Sequence, residues 1–230
     1  MNIGKVLPSI AAAVLLFHAG PLNSQTTSTA RRPAESARPN SPRQTLANDA
    51  YAKLVGNSSF ITPAGERILR HEVVVDASLE DVWKALTTSE GLESFLAPVV
   101  YIELKTGGKF ESNYQVGAKL GDPGTIHNQV LNYIPMEMFS IKVNLTEQFP
   151  QQAREAGTLF AVLTLQNLGS GRVKVTESML GWGQGEEWDK TYRFFDSGNA
   201  YTLGQLYRRF KEGPRRWNNN PSKLCSGRRR

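Results

Sequence analysis

Residues 185–212 read GEEWDKTYRFFDSGNAYTLGQLYRRFKE. Within them Trp188, Tyr192, Phe195, Asn199, Leu203, Leu206 and Phe210 recur every three or four positions, one stripe of a long amphipathic helix. Gly198 and Gly204 weaken that helix locally, because glycine is a poor helix former. Upstream of Gly185 the rhythm is different. The runs 99–104, 109–114, 125–134, 138–145, 158–168 and 172–180 are short and rich in β-branched and aromatic residues. Turn signals separate them: Thr106-Gly107-Gly108, Gly121-Asp122-Pro123-Gly124, Pro135 and Gly169-Ser170-Gly171. Strands without helices between them predict an antiparallel meander.

Before the meander, residues 68–76 (ILRHEVVVD) read as a further strand. Ser78-Leu79-Glu80-Asp81 then matches a capping box, with Ser78 as N-cap. Val82, Trp83 and Leu86, then Leu92, Phe95 and Leu96, follow at helical spacing, and Gly91 is expected to break the run into two short helices. Trp83 reads as a core anchor. A long amphipathic helix after a meander must lay its apolar stripe across the sheet. The expected fold is therefore α+β and of the helix-grip kind: a curved antiparallel β-sheet wrapped around a long C-terminal helix, with two short helices after the first strand.

The chain of 230 residues carries a formal net charge of +6, unevenly spread. Between Glu66 and Tyr207 there are 12 basic against 18 acidic side chains, so the positive charge belongs to the flanks. A nucleic-acid surface on the fold itself is not supported. The single Cys225 allows no internal disulfide, and with only His18, His71 and His127 beside it no metal cluster can be assembled. No G-x-S-x-G elbow occurs, and Gly183-Gln184-Gly185 lacks the third glycine of a dinucleotide fingerprint. No cofactor is expected.

Residues 1–24 read as a signal peptide: Lys5 supplies a positive start and 6–19 a short apolar core, with cleavage expected after Ser24. The protein is thus expected to be secreted or periplasmic. Residues 25–62, dominated at first by Ser, Thr, Pro, Ala and Arg, are expected to be a disordered linker, with room for one short helix around Ala50, Leu54 and Val55. The folded domain is expected over 63–213. Residues 214–230 form a basic, disordered tail suited to weak contact with an anionic membrane.

Several segments resemble one superfamily, the START-like or SRPBCC domains, and within it the branch named for homologues of the activator of Hsp90 ATPase. They are HEVVVDASLEDVWKALTTSEGLESFL, GGKFESNY, LNYIPMEMFSIKV and FAVLTLQNLGSGRVKVTES before GWGQGEEW, together spanning about 68–210. The resemblance implies a hydrophobic cavity between sheet and long helix, used by relatives for lipids, hormones, polyketides or other apolar molecules, and by some for cyclase or hydrolase chemistry. This chain departs from the pattern at Phe95-Leu96, where related domains commonly carry Trp, and in a long insertion over 146–157. An exported protein would meet neither a cytosolic chaperone nor ATP.

Strand alternation selects the residues expected to face such a cavity: Phe110, Tyr114, Asn128, Val130, Phe139, Ile141, Leu163 and Glu177, with Asn132 on the same face. Trp182, Trp188 and Tyr192, at the mouth of the long helix, could stack on a flat ligand or equally pack as core, and Phe195 on the same helix is expected to bind the ligand. His127 alternates to the solvent side. Glu177 is the one catalytic candidate, because a carboxyl in an apolar cavity can hold its proton near neutrality and act as acid or base. Three tasks stay open at this point. They are carriage of a small hydrophobic molecule, a cyclase- or hydrolase-type reaction at Glu177, and partner binding with the cavity filled. The oligomeric state is not legible.

Overall fold

The computed structural model describes residues 49–217. The expected signal segment 1–24, the linker as far as residue 48 and the tail from residue 218 lie outside them. A 3-10 turn, Ala52–Leu54, is followed by two short strands, β1 (Gly56–Asn57) and β2 (Phe60–Ile61). Both pair antiparallel with β3 (Arg67–Asp76), Gly56 opposite Glu72 and Phe60 opposite Ile68. The linker expected through residue 62 thus ends earlier, because the exposed edge of β3 takes up the backbone of 56–61. Along β3, Leu69, His71, Val73 and Val75 alternate into the interior.

Helix α1 (Leu79–Thr87) begins as the capping pattern predicts. Ser78 is extended, and its Oγ accepts from the Asp81 amide at 3.1 Å while donating to the Asp81 carboxylate at 2.8 Å. Val82, Trp83 and Leu86 are buried beneath it. The run breaks at Thr88, not at Gly91 as expected. Thr88 takes φ −119° and ψ 150°, which ends α1, and its Oγ1 accepts from the Gly91 amide at 3.0 Å, which caps α2 (Ser89–Glu93). Gly91 lies inside α2, where a Cβ would stand 2.2 Å from the Lys84 carbonyl oxygen. Its role is to let the two helices touch.

The meander follows: β4 (Val99–Ile102), β5 (Lys109–Asn113), β6 (Ile126–Ile134) and β7 (Met138–Lys142), then a short helix α3 (Gln151–Ala156), β8 (Phe160–Gly169) and β9 (Arg172–Leu180). All pairings are antiparallel, and β9 returns to β3, giving the order β1-β3-β9-β8-β7-β6-β5-β4 with β2 also on β3. One irregularity changes the expected faces. In β6, Val130 lies opposite Ile141 but Asn132 lies opposite Ser140, so one extra residue, Leu131, has entered the strand. A one-residue slip sends all later side chains to the other face. Asn132, expected beside Asn128, instead accepts a hydrogen bond from the Ser140 hydroxyl at 2.8 Å.

Helix α4 (Glu186–Glu212) crosses the sheet and carries the expected stripe. Glu186, Glu187 and Asp189 in its first turn, and Arg209 and Lys211 in its last, suit the helix dipole. Leu203 and Leu206 are fully buried against the sheet. Gly204 serves close packing: a Cβ there would lie 2.7 Å from the backbone of Tyr51 and Ala52, which crosses α4 at this point. Tyr51 also bonds to Glu212 and packs on Tyr207, with ring centroids 5.9 Å apart. Beyond the helix, the Arg215 amide donates to the Ser94 carbonyl at 2.8 Å and Trp217 Nε1 to the Glu93 carbonyl at 2.5 Å. The tail expected to be loose from residue 214 is therefore docked on the end of α2 as far as Trp217.

Candidate functional site

Between the inner face of the sheet and the middle of α4 lies a cavity of about 150 Å³. Eight of the twelve residues expected to bind a ligand line it: Phe110, Tyr114, Asn128, Phe139, Ile141, Leu163, Glu177 and Phe195. Strand alternation found the seven sheet-side residues, because five neighbouring strands present the same face. Phe95 and Leu96, where the chain departs from its relatives, also line the wall.

The other four expected residues do not line it. Val130 is fully buried in the sheet core. Trp188 is 3% exposed and packs on the 183–185 loop, where a Cβ on Gly183 would stand 2.2 Å from its Nε1. The Gly-Gln-Gly turn is thus a seat for that indole. Trp182 donates from Nε1 to the Met179 carbonyl at 3.0 Å and packs edge-on against Tyr192, centroids 4.9 Å apart. Tyr192 in turn lies under the Arg67 guanidinium at 5.2 Å, and Arg67 is paired with Asp189 at 2.5 Å. These rings form the packing of the N-terminal end of α4, next to the cavity wall, with Trp182 also edge-on to Phe195 at 5.9 Å.

Four lining residues carry signals that pattern reading did not assign to the cavity. Gly198 is on the cavity side of α4, and a Cβ built there meets no atom within 4 Å. The absent side chain is part of the space. Next to it, Asn199 is 7% exposed and its amide nitrogen has no hydrogen-bond partner among the described residues. Thr146, in the insertion between β7 and α3, likewise has a buried Oγ1 without a partner among the described residues. An unpaired buried polar group costs about 1–3 kcal/mol. Phe149, from the same insertion, lines the cavity as well. It stacks on Phe195 (5.6 Å, 13°) and meets Phe194 edge-on at 4.9 Å.

The electrostatics centre on Glu177. Its carboxylate has no hydrogen bond among the described residues, and its side chain reaches the cavity wall. Burial pushes its carboxyl up to about 7, against a downward pull from His71. Burial also pushes the Tyr114 hydroxyl up to about 12, with a hydrogen bond from Ser112 working the other way and the Glu177 charge adding to the rise. Asn128 is already engaged, its Oδ1 accepting from the Asn144 amide at 2.9 Å. His127 is exposed, as expected, and bonds to Glu111 at 2.9 Å. Among the described residues no three His, Cys, Asp or Glu side chains gather as metal ligands.

A sheet wrapped on a long helix, with two capped helices after the first strand, is the architecture the sequence motifs predict. The family profile described as activator of Hsp90 ATPase homolog 1-like protein matches residues 76–211, from the end of β3 to the end of α4. The chain belongs to that family. Comparison with curated proteins found no match. Solved structures similar to this family member include the MLL2253 protein of Mesorhizobium loti, 19% identical over 62% of this chain and 95% of that one, with a TM-score of 0.49. CalU16 of Micromonospora echinospora is 16% identical over 74% and 88%, also at 0.49. The Aha1 dimer of Colwellia psychrerythraea is 16% identical over 64% and 97%, at 0.48. Among the described residues of this family member, no helix is long and apolar enough to cross a membrane.

Proposed function

We propose that the protein is an exported binding module that encloses one small, largely apolar molecule between sheet and α4. The observation that supports this reading is the cavity, about 150 Å³ and walled mainly by Leu, Ile, Val, Phe and Met side chains. An apolar cavity of about 150 Å³ engineered into another protein stays dry and takes up benzene. Sites for drug-sized ligands are larger, about 300–1,000 Å³. The occupant is thus the size of a single ring or a short chain, and a long acyl chain or multi-ring polyketide requires the wall to move. The leader read from residues 1–24 supports export, and the basic flanks would hold the protein near an anionic surface.

Native mass spectrometry of the protein purified gently from its own periplasm or medium tests this. A bound species of low mass, released and identified on denaturation, is the expected result, on a chain beginning at Gln25. A protein that is empty, and gains no mass from a panel of small apolar compounds, overturns the binding reading; a chain that keeps residue 1 overturns export.

A second reading, proton transfer on the bound molecule by Glu177, is favoured by one observation: the carboxyl faces the cavity with no hydrogen bond and is held near neutrality. Comparing Glu177→Gln with the parent separates the two. A carrier holds the same species in both proteins, whereas an enzyme converts the molecule in the parent and leaves it unconverted in the variant.

A further inference from the structure

The cavity wall is apolar with a few polar interruptions, and those interruptions have a pattern. No Lys, Arg or His side chain is among the lining residues. The one ionisable acid is Glu177, so an anionic headgroup would find no counter-charge and one carboxyl beside it. At the same time a donor is left over. The Asn199 amide nitrogen is buried on α4, in the wall, with no partner among the described residues. In a long helix whose stripe is otherwise apolar, a leucine at 199 would remove that deficit, and the adjacent Gly198 keeps open space beside it. Thr146 adds a second unpartnered hydroxyl from the insertion.

Taking the cavity as the binding site, we infer that its ligand is an uncharged molecule of about single-ring size bearing one oxygen acceptor, a carbonyl or hydroxyl, and that the Asn199 amide donates to that oxygen. The apolar body fills the space between Phe110, Phe139 and Met179, and the oxygen meets the donor that the fold leaves unpaired. Fatty-acid anions are discriminated against by the absence of any cation in the wall. Plain hydrocarbons are discriminated against because they offer the Asn199 donor no acceptor and so forgo the bond that the ketone gains.

The test uses four ring compounds of nearly equal shape, titrated into the full-length mature protein and followed by amide NMR shifts: cyclohexanone, methylenecyclohexane, cyclohexanecarboxylate and cyclohexylammonium. The ketone is expected to bind at least ten-fold more tightly than each of the others. Asn199→Leu and Asn199→Ala are expected to abolish the ketone's advantage over methylenecyclohexane while leaving the hydrocarbon's own affinity within a few-fold. The leucine variant is also expected to melt higher than the parent, which a merely structural asparagine would not permit. Equal binding of ketone and hydrocarbon, preference for either ion, or a ketone preference that survives both substitutions overturns the inference while leaving the cavity a binding site. Failure of all four compounds overturns the binding reading together with it.

Discussion

His71 and Glu177 lie directly opposite each other on the β3–β9 ladder, and each looks to a different neighbour. His71, 2% exposed, places Nε2 3.1 Å from the Asp196 carboxylate on α4, while Nδ1 has no partner among the described residues. Glu177 reaches the cavity instead. The two ionisable side chains share one face of the sheet because antiparallel partners always do. The helix supplies a carboxylate partner to only one of them.

That arrangement predicts a pH dependence of stability. Glu177 ionises at about 7 in the folded chain and at its ordinary value of 4.5 when unfolded, so between those values the folded state holds the extra proton. Stability from this group is complete below about 4.5 and is lost as pH rises through about 7. Glu177→Gln removes the dependence. In thermal melts the variant is expected to gain on the parent steadily from pH 4.5 to 7 and to keep a constant lead above it. A lead that does not change with pH contradicts the assignment.

Gly198→Ala is expected to stabilise the fold and impair binding together. The substitution relieves the helix of one of its two interior glycines, worth about 0.5–1 kcal/mol. The new methyl meets no atom within 4 Å and occupies cavity space. Urea unfolding should give a higher midpoint, and cyclohexanone should bind more weakly.

Gly204→Ala, six positions on, has the opposite sign. Its Cβ would collide with the Tyr51–Ala52 backbone at 2.7 Å. Overpacking of this kind costs about 1–3 kcal/mol, outweighing the gain in helix propensity. Limited proteolysis should then cut around residues 50–58, where the parent is protected.

Phe149→Ala removes a stacked and an edge-on ring contact, each worth about 0.5–1.5 kcal/mol beyond area. A drop in stability of about 1–3 kcal/mol is expected, with faster release of bound cyclohexanone by NMR exchange. Unchanged release kinetics would place the exit elsewhere along the helix.

Much of this was legible in the residues. The strands of the meander, the Ser78 cap and the stripe of α4 follow from period and turn chemistry, because each is a local rule. The failures are non-local. Gly91 looked like a breaker, yet Thr88 carries both caps, and the glycine answers to a contact with Lys84. Asn132 was set on the wrong face because the Leu131 bulge has no residue signature of its own. Trp182, Trp188 and Tyr192 share a stripe or loop with Phe195, and periodicity tells which side of a helix is inward but not which stretch of it spans a cavity. Asn199 did carry a signal, a polar residue in an apolar stripe. Phe149 carried a fainter one, a lone aromatic in a polar insertion.

The crossing of Tyr51 over Gly204 has a mechanical consequence. Asp49 enters and Trp217 leaves beside the C-terminal half of α4, held there through Tyr51, Tyr207, Glu212 and Arg215, whose Nη1 bonds to the Tyr201 hydroxyl at 3.1 Å. Phe149 grips the helix at Phe195, which at 1.5 Å per residue is about 25 Å away from Glu212. Both ends of the described chain therefore leave the fold beside the C-terminal end of α4, while Phe149 meets the cavity further toward its N-terminal end.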